Sequence, residues 1–293
     1  MSETGTSLLP DGVSVGHHTD EQGLTGCTAI LVPGGAVTGV DVRGAAPGTL
    51  GTDALRPSTI IERGHGLLLT GGSLFGLAAA AGVMRYLEER GIGEQFVSVT
   101  VPGVAAAVIF DLLAGDPHAR PDEAAGYAAC ETATREPAMG AVGAGTGATV
   151  AKAGDALQTR RGGVGLAAAR VGGATVAAIV VANAVGGIWD DERGEWVAPL
   201  TDWEPNTSLI PGANTTIGAV LTDATLTKEQ ANRVATVAHD GLARAVRPSH
   251  TMYDGDTLFC MATGALDAPY DAVEVLATGV VAQATVAGVR AAQ

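Results

Sequence analysis

Short apolar runs, rich in valine, isoleucine and alanine, recur along the chain between turns rich in glycine and proline. Runs of this length, alternating or continuously apolar, are typical of half-buried and fully buried strands. They predict strands over residues 25–31, 36–42, 66–70, 166–171, 175–182, 216–222 and 257–262, and a strand pair or a strand and turn within residues 97–113. Because the first two runs flank Pro33-Gly34-Gly35, we expect them to form a hairpin.

Other stretches carry apolar and small residues at the spacing of a helix. Asp122 is the expected N-cap of one of them. Thr227 and Gln230 have the spacing of a capping box at the start of another. The predicted helices cover residues 71–90, 122–136, 227–245 and 270–292.

The strands and helices come in blocks rather than in strict strand-helix-strand alternation, which favours stacked sheets covered by helices. We therefore expect one α/β domain over residues 1–293, with the charged, proline-bearing stretch 189–208 as a linker. Residues 171–189 carry no charge, as in a membrane span. Their glycines, Asn183 and the β-branched run at 179–181 favour a strand buried on both faces instead.

The composition indicates close packing of small side chains. Of the 293 residues, 42 are glycine and only 4% are aromatic, so alanine and valine must fill the core. The net charge of −14 repels phosphates, so we expect no nucleic-acid partner. Cys27, Cys130 and Cys260 form no CxxC pair, and we expect reduced thiols, as in a cytoplasmic protein. The first residues show no basic-then-apolar secretory pattern, and we expect no membrane association.

Asn214-Thr215 follows a Pro-Gly turn and precedes an apolar alternating run, so a loop should deliver Thr215 to the start of a strand. A threonine hydroxyl is a weak nucleophile that needs a nearby base. Cutting the chain before Thr215 would free its own amine for that purpose. The pair is thus a candidate self-cleavage site, and an ordinary turn-to-strand junction is the alternative.

Asp254-Gly255-Asp256 places two carboxylates at the entrance of the strand predicted over residues 257–262. Residues i and i+2 of a strand share a face, so both carboxylates can point toward one site. The alternatives are a turn with solvated acids or a divalent-cation loop. A calcium loop needs further ligands at regular spacing, which the next residues do not supply.

Lys152 and Asn183 are the remaining polar candidates. The loop 143–148 matches a dinucleotide-binding glycine pattern but lacks the preceding strand, so we interpret it as a loop that positions Lys152. A lysine entering a site would lower the pKa of a neighbouring amine, whereas a surface lysine is the alternative. Asn183 interrupts an apolar strand, and its amide could donate to an oxyanion or tie down a loop.

Seven ordered motifs, spread over nearly the whole chain, resemble one known family. They are Thr-Gly-Cys-Thr (25–28), Ala-Pro-Gly-Thr (46–49), Leu-Thr-Gly-Gly-Ser (69–73), Gly-Val-Met-Arg-Tyr-Leu-Glu (82–88), Ala-Val-Ile-Phe-Asp (107–111), Asn-Thr-Thr-Ile (214–217) and Asp-Gly-Asp-Thr-Leu-Phe (254–259). The family is that of the L-aminopeptidases/D-esterases, which contains β-aminopeptidases and nylon-oligomer (6-aminohexanoate-oligomer) hydrolases. Asn214-Thr215 with Asp254 and Asp256 is most similar to the nylon-oligomer hydrolases, and Lys152 and Asn183 match their lysine and asparagine.

The resemblance implies a four-layer αββα sandwich of the N-terminal-nucleophile type, made as an inactive precursor. It implies self-cleavage between Asn214 and Thr215 into pieces 1–214 and 215–293. The mature protein would hydrolyse small peptides, amino-acid amides or esters, or ω-amino-acid oligomers, without a cofactor or metal. Because relatives are commonly tetramers, the resemblance also implies a homotetramer.

The resemblance further implies a role for each polar candidate. Asp254 and Asp256 would orient the hydroxyl and amine of Thr215. Lys152 would keep that amine neutral enough to act as a base. Asn183 would bind the oxyanion.

The chain departs from the family pattern at the expected substrate pocket. Phe110 stands where the nylon-oligomer hydrolases carry a tyrosine close to the substrate. Ala78 replaces an acidic residue, and Leu50-Gly51 replaces an arginine-glutamate pair. These changes predict a pocket less able to hold a substrate amine.

Two other functions are alternatives to hydrolysis. One is acyl transfer of the ornithine-acetyltransferase type, which also uses a threonine nucleophile. The other is a non-catalytic scaffold that keeps the fold and never cleaves itself.

Overall fold

The computed structural model describes residues 7–153, 159–200 and 212–293. The helices are α1 (Ala79–Glu88), α2 (Glu123–Glu131), α3 (Lys228–Ala245) and α4 (Tyr270–Ala291). The strands are β1 (Ser14–Asp20), β2 (Thr25–Val42), β3 (Thr49–Leu50), β4 (Arg63–Thr70), β5 (Glu94–Phe96), β6 (Val99–Val101), β7 (Val104–Val108), β8 (Thr149–Val150), β9 (Arg160–Arg161), β10 (Gly163–Val171), β11 (Ala174–Ala182), β12 (Gly187–Asp190), β13 (Glu195–Ala198), β14 (Ile217–Ala224), β15 (Val246–Arg247) and β16 (Thr257–Leu266).

Among the described residues, nine strands form one continuous hydrogen-bonded sheet in the order β10-β11-β14-β16-β2-β4-β7-β3, with β1 paired to β2. β14 and β16 run parallel to each other, as do β4 and β7. The other pairs in this sheet are antiparallel. The two predicted strands 216–222 and 257–262 are therefore direct neighbours.

The predicted hairpin at Pro33-Gly34-Gly35 is wrong, because β2 continues through these residues as one strand. Opposite β4, the register shifts between Leu31 and Ala36, so several residues of β2 face a short stretch of its partner. Proline lacks an N–H for the ladder, and Gly35 has a φ of 70°. These residues therefore form a bulge, which bends the strand instead of reversing it.

Among the residues that the structure describes, the buried apolar side chains fall into three clusters, which are the interfaces between four layers. In β11, Val180 faces α3 and α4, whereas Ile179 faces the middle of the molecule. In β4, Leu67 faces the middle, whereas Leu68 faces α1 and α2. The part of the sheet around β11 is thus covered by α3 and α4, and the part around β4 is covered by α1 and α2. The other faces of these two parts pack against each other, as the predicted αββα sandwich requires.

The predicted helices form, with changes at their ends. A 3-10 helix (Ser73–Ala78) precedes α1, and the Asp122 carboxylate accepts a hydrogen bond from the N–H of Ala125. Thr227 and Gln230 form both bonds of the predicted capping box. α2 ends before residue 136 because Thr134 exchanges backbone hydrogen bonds with Val15 at the edge of β1.

The stretch predicted as a linker, 189–208, is in part a hairpin. β12 and β13 pair there, and the Trp189 and Trp196 rings pack edge to face with centroids 5.3 Å apart. Asp190 is anchored by an ion pair with Arg290 of α4 at 2.7 Å. These tertiary contacts explain why a polar sequence with turn residues forms a hairpin here. Residues 201–208 of the predicted linker lie outside the described ranges.

Residues 174–182 form the buried strand expected for the uncharged stretch, since every residue of β11 is buried. Helix α4 has the length and hydropathy of a membrane span, and 56% of its most apolar window is buried. Its apolar side chains join the cluster shared with α3 and β11.

Candidate active site

Thr215 lies at the entrance of β14 and is 3% exposed. Its backbone N–H donates to the Asn183 carbonyl at 2.9 Å, and its hydroxyl donates to the Asn214 carbonyl at 2.5 Å. Both the N–H and the carbonyl group of the peptide between Asn214 and Thr215 are thus hydrogen-bonded. The preceding Pro211 of the Pro-Gly turn lies outside the described residues.

The parallel pairing of two strands brings the predicted polar residues together. In the register of β14 and β16, Ile217 is opposite Thr257. The residues just before these strands therefore also meet, and Asn214 forms a parallel bridge with Asp254. Parallel neighbours begin at the same edge of a sheet, so both segments open into one site.

Asp256 is buried and uses both carboxylate oxygens. Oδ1 accepts the backbone N–H of Thr216 at 2.7 Å. Oδ2 accepts the backbone N–H of His250 at 3.1 Å and its ring Nδ1 at 2.7 Å. Asp256 therefore contacts the residue after Thr215 rather than the Thr215 hydroxyl.

Asp254 is equally buried, and its carboxylate binds a neighbouring loop. Oδ2 accepts the N–H of Thr251 at 2.9 Å and its hydroxyl at 2.6 Å, while Oδ1 accepts the N–H of Val185 at 3.4 Å. Burial, and secondly the negative charge of Asp256, raise the pKa of Asp254. This carboxylate holds the site together through the loops at 185 and 251.

Lys152 and Asn183 form a direct contact next to Thr215. The Lys152 ammonium donates to the side-chain oxygen of Asn183 at 2.9 Å and to its backbone carbonyl at 3.2 Å. The same carbonyl accepts the N–H of Thr215. The side-chain amide of Asn183 donates to the Phe110 carbonyl at 3.2 Å. Asn183 therefore links Lys152, Thr215 and the Phe110 loop.

Burial lowers the pKa of Lys152 to about 7, against the opposing attraction of Asp254 and Asp111. A lysine with such a pKa is present in both protonation states near neutral pH, so it can accept and return a proton there.

Gly255 contacts the Asn214–Thr215 peptide through its backbone. Its N–H donates to the Asn214 carbonyl at 2.9 Å. A Cβ atom at this position would lie 2.3 Å from the Ala46 carbonyl oxygen and 3.0 Å from the Thr215 hydroxyl oxygen. Any larger residue would force one of these two segments to move.

A pocket with a volume of about 260 Å³ opens beside Thr215. The described residues that line it carry small or apolar side chains for the most part, and Phe110 is among them. They are Ala46, Pro47, Gly48, Ser73, Leu74, Val108, Phe110, Gly212 and Thr215. Four of the seven sequence motifs contribute lining residues, namely 46–48, 73, 108 with 110, and 215, so segments far apart in sequence border one cavity.

The structure brings Thr215, Asp254, Asp256, Lys152, Asn183 and Phe110 into one region. It also adds Asp111, which the sequence indicated only as the end of a motif, and His250. Asp111 accepts the Thr25 hydroxyl and the Gly72 N–H, each at 2.7 Å, and burial raises its pKa. His250 precedes the Asp-Gly-Asp motif with no periodic or motif signal, so only its contact with Asp256 reveals it.

Comparison with known proteins gives a consistent result. The chain matches the model described as Peptidase family S58 over residues 11–293. It is 43% identical over 289 residues to an uncharacterized aminopeptidase of Mycobacterium leprae (strain TN), covering 88% of this chain and 78% of that protein. It is 35% identical over 289 residues to the 6-aminohexanoate-oligomer endohydrolase of Paenarthrobacter ureafaciens, covering 92% and 79%.

The fold has also been seen in a solved structure. The L-aminopeptidase D-Ala-esterase/amidase from Ochrobactrum anthropi, described as a variant of the Ntn hydrolase fold, matches with a TM-score of 0.76 and 21% identity. The match covers 100% of this chain and 89% of that one. The fold predicted from the resemblance is therefore confirmed.

Proposed function

The chain belongs to peptidase family S58 and is an amide-bond hydrolase, and on that basis we propose that it uses Thr215 as an N-terminal nucleophile. In this proposal the chain matures by cutting itself between Asn214 and Thr215. The single observation that carries the proposal is the arrangement of that peptide. The Thr215 hydroxyl lies beside the Asn214 carbonyl, whose oxygen already accepts the Gly255 N–H.

Self-cleavage would begin with attack of Thr215 Oγ1 on the carbonyl carbon of Asn214. Negative charge then develops on the Asn214 oxygen, where the Gly255 N–H can stabilise it. The bond to the Thr215 nitrogen breaks, and this nitrogen takes up the hydroxyl proton to become a free amine. Water then hydrolyses the resulting ester, which leaves a carboxylate on Asn214 and restores the hydroxyl of Thr215.

Lys152 suits the proton transfers of this sequence. Its pKa of about 7 leaves a substantial neutral fraction at neutral pH. Its ammonium and the N–H of Thr215 share the Asn183 carbonyl as acceptor, so the lysine lies next to the nitrogen that must be protonated. General acid-base catalysis is most effective when the pKa lies near the working pH.

In the mature enzyme, the free amine of Thr215 would take the proton of its own hydroxyl. An unperturbed α-amino group has a pKa of about 7.7–8.0, and the fraction of Lys152 that carries a charge would lower it. Asp256 would hold the new chain end through the Thr216 N–H. The amide of Asn183 has a second N–H, which would bind the oxyanion of the substrate.

The pocket beside Thr215 would hold the acyl side of the substrate. We propose small peptides, amino-acid amides or esters, or ω-amino-acid oligomers as the substrate class. The support is the family, the names of the aminopeptidase and endohydrolase relatives, and the size and apolar lining of the pocket. By resemblance, we further propose a cytoplasmic homotetramer, which size-exclusion chromatography with light scattering tests.

A matched pair of variants tests the nucleophile. Thr215→Val keeps the shape of the side chain without its hydroxyl, whereas Thr215→Ser keeps a hydroxyl. We expect intact mass and N-terminal sequencing to find a second chain beginning Thr-Thr-Ile-Gly in the wild type, a cut chain in the serine variant and only the 29.2 kDa chain in the valine variant. Cleavage of the valine variant at residue 214, or a wild type that stays uncut and active, would refute the proposal.

A competing amine separates hydrolysis from acyl transfer. Product analysis with an added amine acceptor is expected to find free acid as the main product. Transfer to the amine as the dominant reaction would instead favour the acyltransferase alternative.

A further inference from the structure

Asp256 is held from two opposite sides. One oxygen accepts the N–H of Thr216, which lies between the nucleophile and β14, and the other accepts two donors from His250. The side chain of Asp256 is 2% exposed, so water contributes little to its solvation. The position of this carboxylate is therefore set by Thr216 and His250 together.

The conformation of His250 makes its double contact possible. Its φ is 56°, in the left-handed region that residues with a Cβ atom rarely adopt. In this conformation the backbone N–H and ring Nδ1 reach the same oxygen, at 3.1 and 2.7 Å. A residue held in an uncommon conformation by specific contacts at a site is a candidate for a functional role.

The far side of the His250 ring is enclosed. Its Nε2 is buried and has no hydrogen-bond partner among the described residues. The ring of His239 packs against it edge to face, with centroids 4.8 Å apart, and His239 Nε2 contacts the Asp41 carbonyl at 3.1 Å. A buried N–H without an acceptor is costly, so the proton of His250 belongs on Nδ1, where Asp256 accepts it.

Self-cleavage increases the importance of this contact. Once the peptide before Thr215 is cut, that residue is a chain end with no covalent link on its N-terminal side. Next to it, the backbone of Thr216 is held by Asp256 through its N–H and by the Thr257 N–H through its carbonyl, the latter at 3.1 Å. A shift of Asp256 would therefore release one of these two backbone hydrogen bonds, which hold the residue next to the chain end.

We propose that His250 is a positioning residue, which acts through Asp256 and the Thr216 N–H to hold Thr215 in its reactive place. This inference rests on the proposed function of Thr215. Because Asp256 is not among the residues lining the pocket, loss of the contact should lower the rate of self-cleavage and kcat, with little change in KM.

Three substitutions separate the ring donor from the backbone. His250→Asn places an amide N–H close to the position of Nδ1, and asparagine tolerates a positive φ. His250→Gln places its amide at the position of Nε2 instead. His250→Gly removes the side chain while relieving the backbone strain. The hydrogen bond is made to a charged group, so we expect glutamine and glycine to slow self-cleavage about 10- to 100-fold, and asparagine to stay within about threefold of wild type.

The measurements are the rate of appearance of the cut chain by intact mass, and kcat and KM on an amino-acid p-nitroanilide. Equal slowing in the asparagine and glutamine variants, or wild-type rates in the glutamine and glycine variants, would overturn the role of His250. Thr215→Val distinguishes this failure from failure of the proposed function. If the valine variant still cuts itself, both the proposed nucleophile and the positioning role of His250 are refuted. If the valine variant is inert while His250→Gln is unimpaired, only the positioning role is refuted.

A spectroscopic measurement keeps the inference testable should the variants fail to fold. Wild-type protein labelled with ¹⁵N-histidine is expected to show His250 protonated at Nδ1, assigned by its contacts with the His239 ring. A His250 ring protonated at Nε2 alone could not donate to Asp256, and this result would overturn the inference.

Discussion

Replacing Gly255 with alanine is the sharpest test of the oxyanion contact proposed for self-cleavage. The added Cβ would lie 2.3 Å from the Ala46 carbonyl oxygen, whereas ordinary contacts begin near 3.4 Å. Relief of this clash requires a movement of about 1 Å. The same movement would stretch the Gly255 N–H contact with the Asn214 oxygen from 2.9 Å toward about 4 Å, beyond hydrogen-bond range.

The expected cost is kinetic as well as structural. Losing one donor to an oxyanion typically slows a reaction about 10²- to 10³-fold. Overpacking at a buried position costs about 1–3 kcal/mol of stability. We therefore expect Gly255→Ala to be folded, somewhat less stable and strongly delayed in self-cleavage.

The matched control is Gly126→Ala. There a Cβ would lie 1.9 Å from the Ala79 carbonyl oxygen, in the contact between α1 and α2. This variant should lose stability in the same way but cut itself at the wild-type rate. The assay is intact mass against time, with urea unfolding of each variant. Equal cleavage rates in the two variants would show that the Gly255 N–H does not stabilise the oxyanion.

Two predictions concern buried basic side chains. Lys152→Met is expected to slow self-cleavage at least tenfold by removing the proton carrier. Between pH 7 and about 9 the unfolded chain still binds a proton that folded Lys152 has released, so the unfolding free energy of the uncut Thr215→Val protein should rise with pH. Adding Lys152→Met to that protein should abolish this rise. Burial lowers the pKa of His239 to about 4, so stability should fall as the pH drops from 6.5 to 4, by about 3 kcal/mol for this group. His239→Gln, which can keep the bond to Asp41, should remove that part of the fall in urea unfolding; an unchanged pH profile would contradict the assignment.

Local sequence patterns predicted most elements of the fold because each depends on neighbouring residues. The capping box at Thr227 and the N-cap at Asp122 form as expected, since the partners lie three residues away. The buried strand β11 follows from its apolar composition alone. The same local logic failed at Pro33-Gly34-Gly35, where a turn signal became a bulge because β2 is paired with β4 on both sides of it.

The sequence also placed Thr215, Asp254 and Asp256 at the entrances of two strands, and the resemblance named their companions Lys152 and Asn183. It could not establish that these strands are parallel neighbours, which is what joins the three residues. That pairing depends on contacts between segments about 40 residues apart. Local periodicity carries no information about such a choice.

What the sequence determined by itself is the four helices and most of the long buried strands, the chemistry of the candidate residues and the family. Only the tertiary structure decided the environment of these residues. It sets the hydrogen bond from the Gly255 N–H to the Asn214 oxygen, the hydrogen bond from His250 to Asp256, and the burial that lowers the pKa of Lys152. The reason is that hydrogen bonds and desolvation depend on distances of a few ångströms between distant segments, and those distances exist only after the layers have packed.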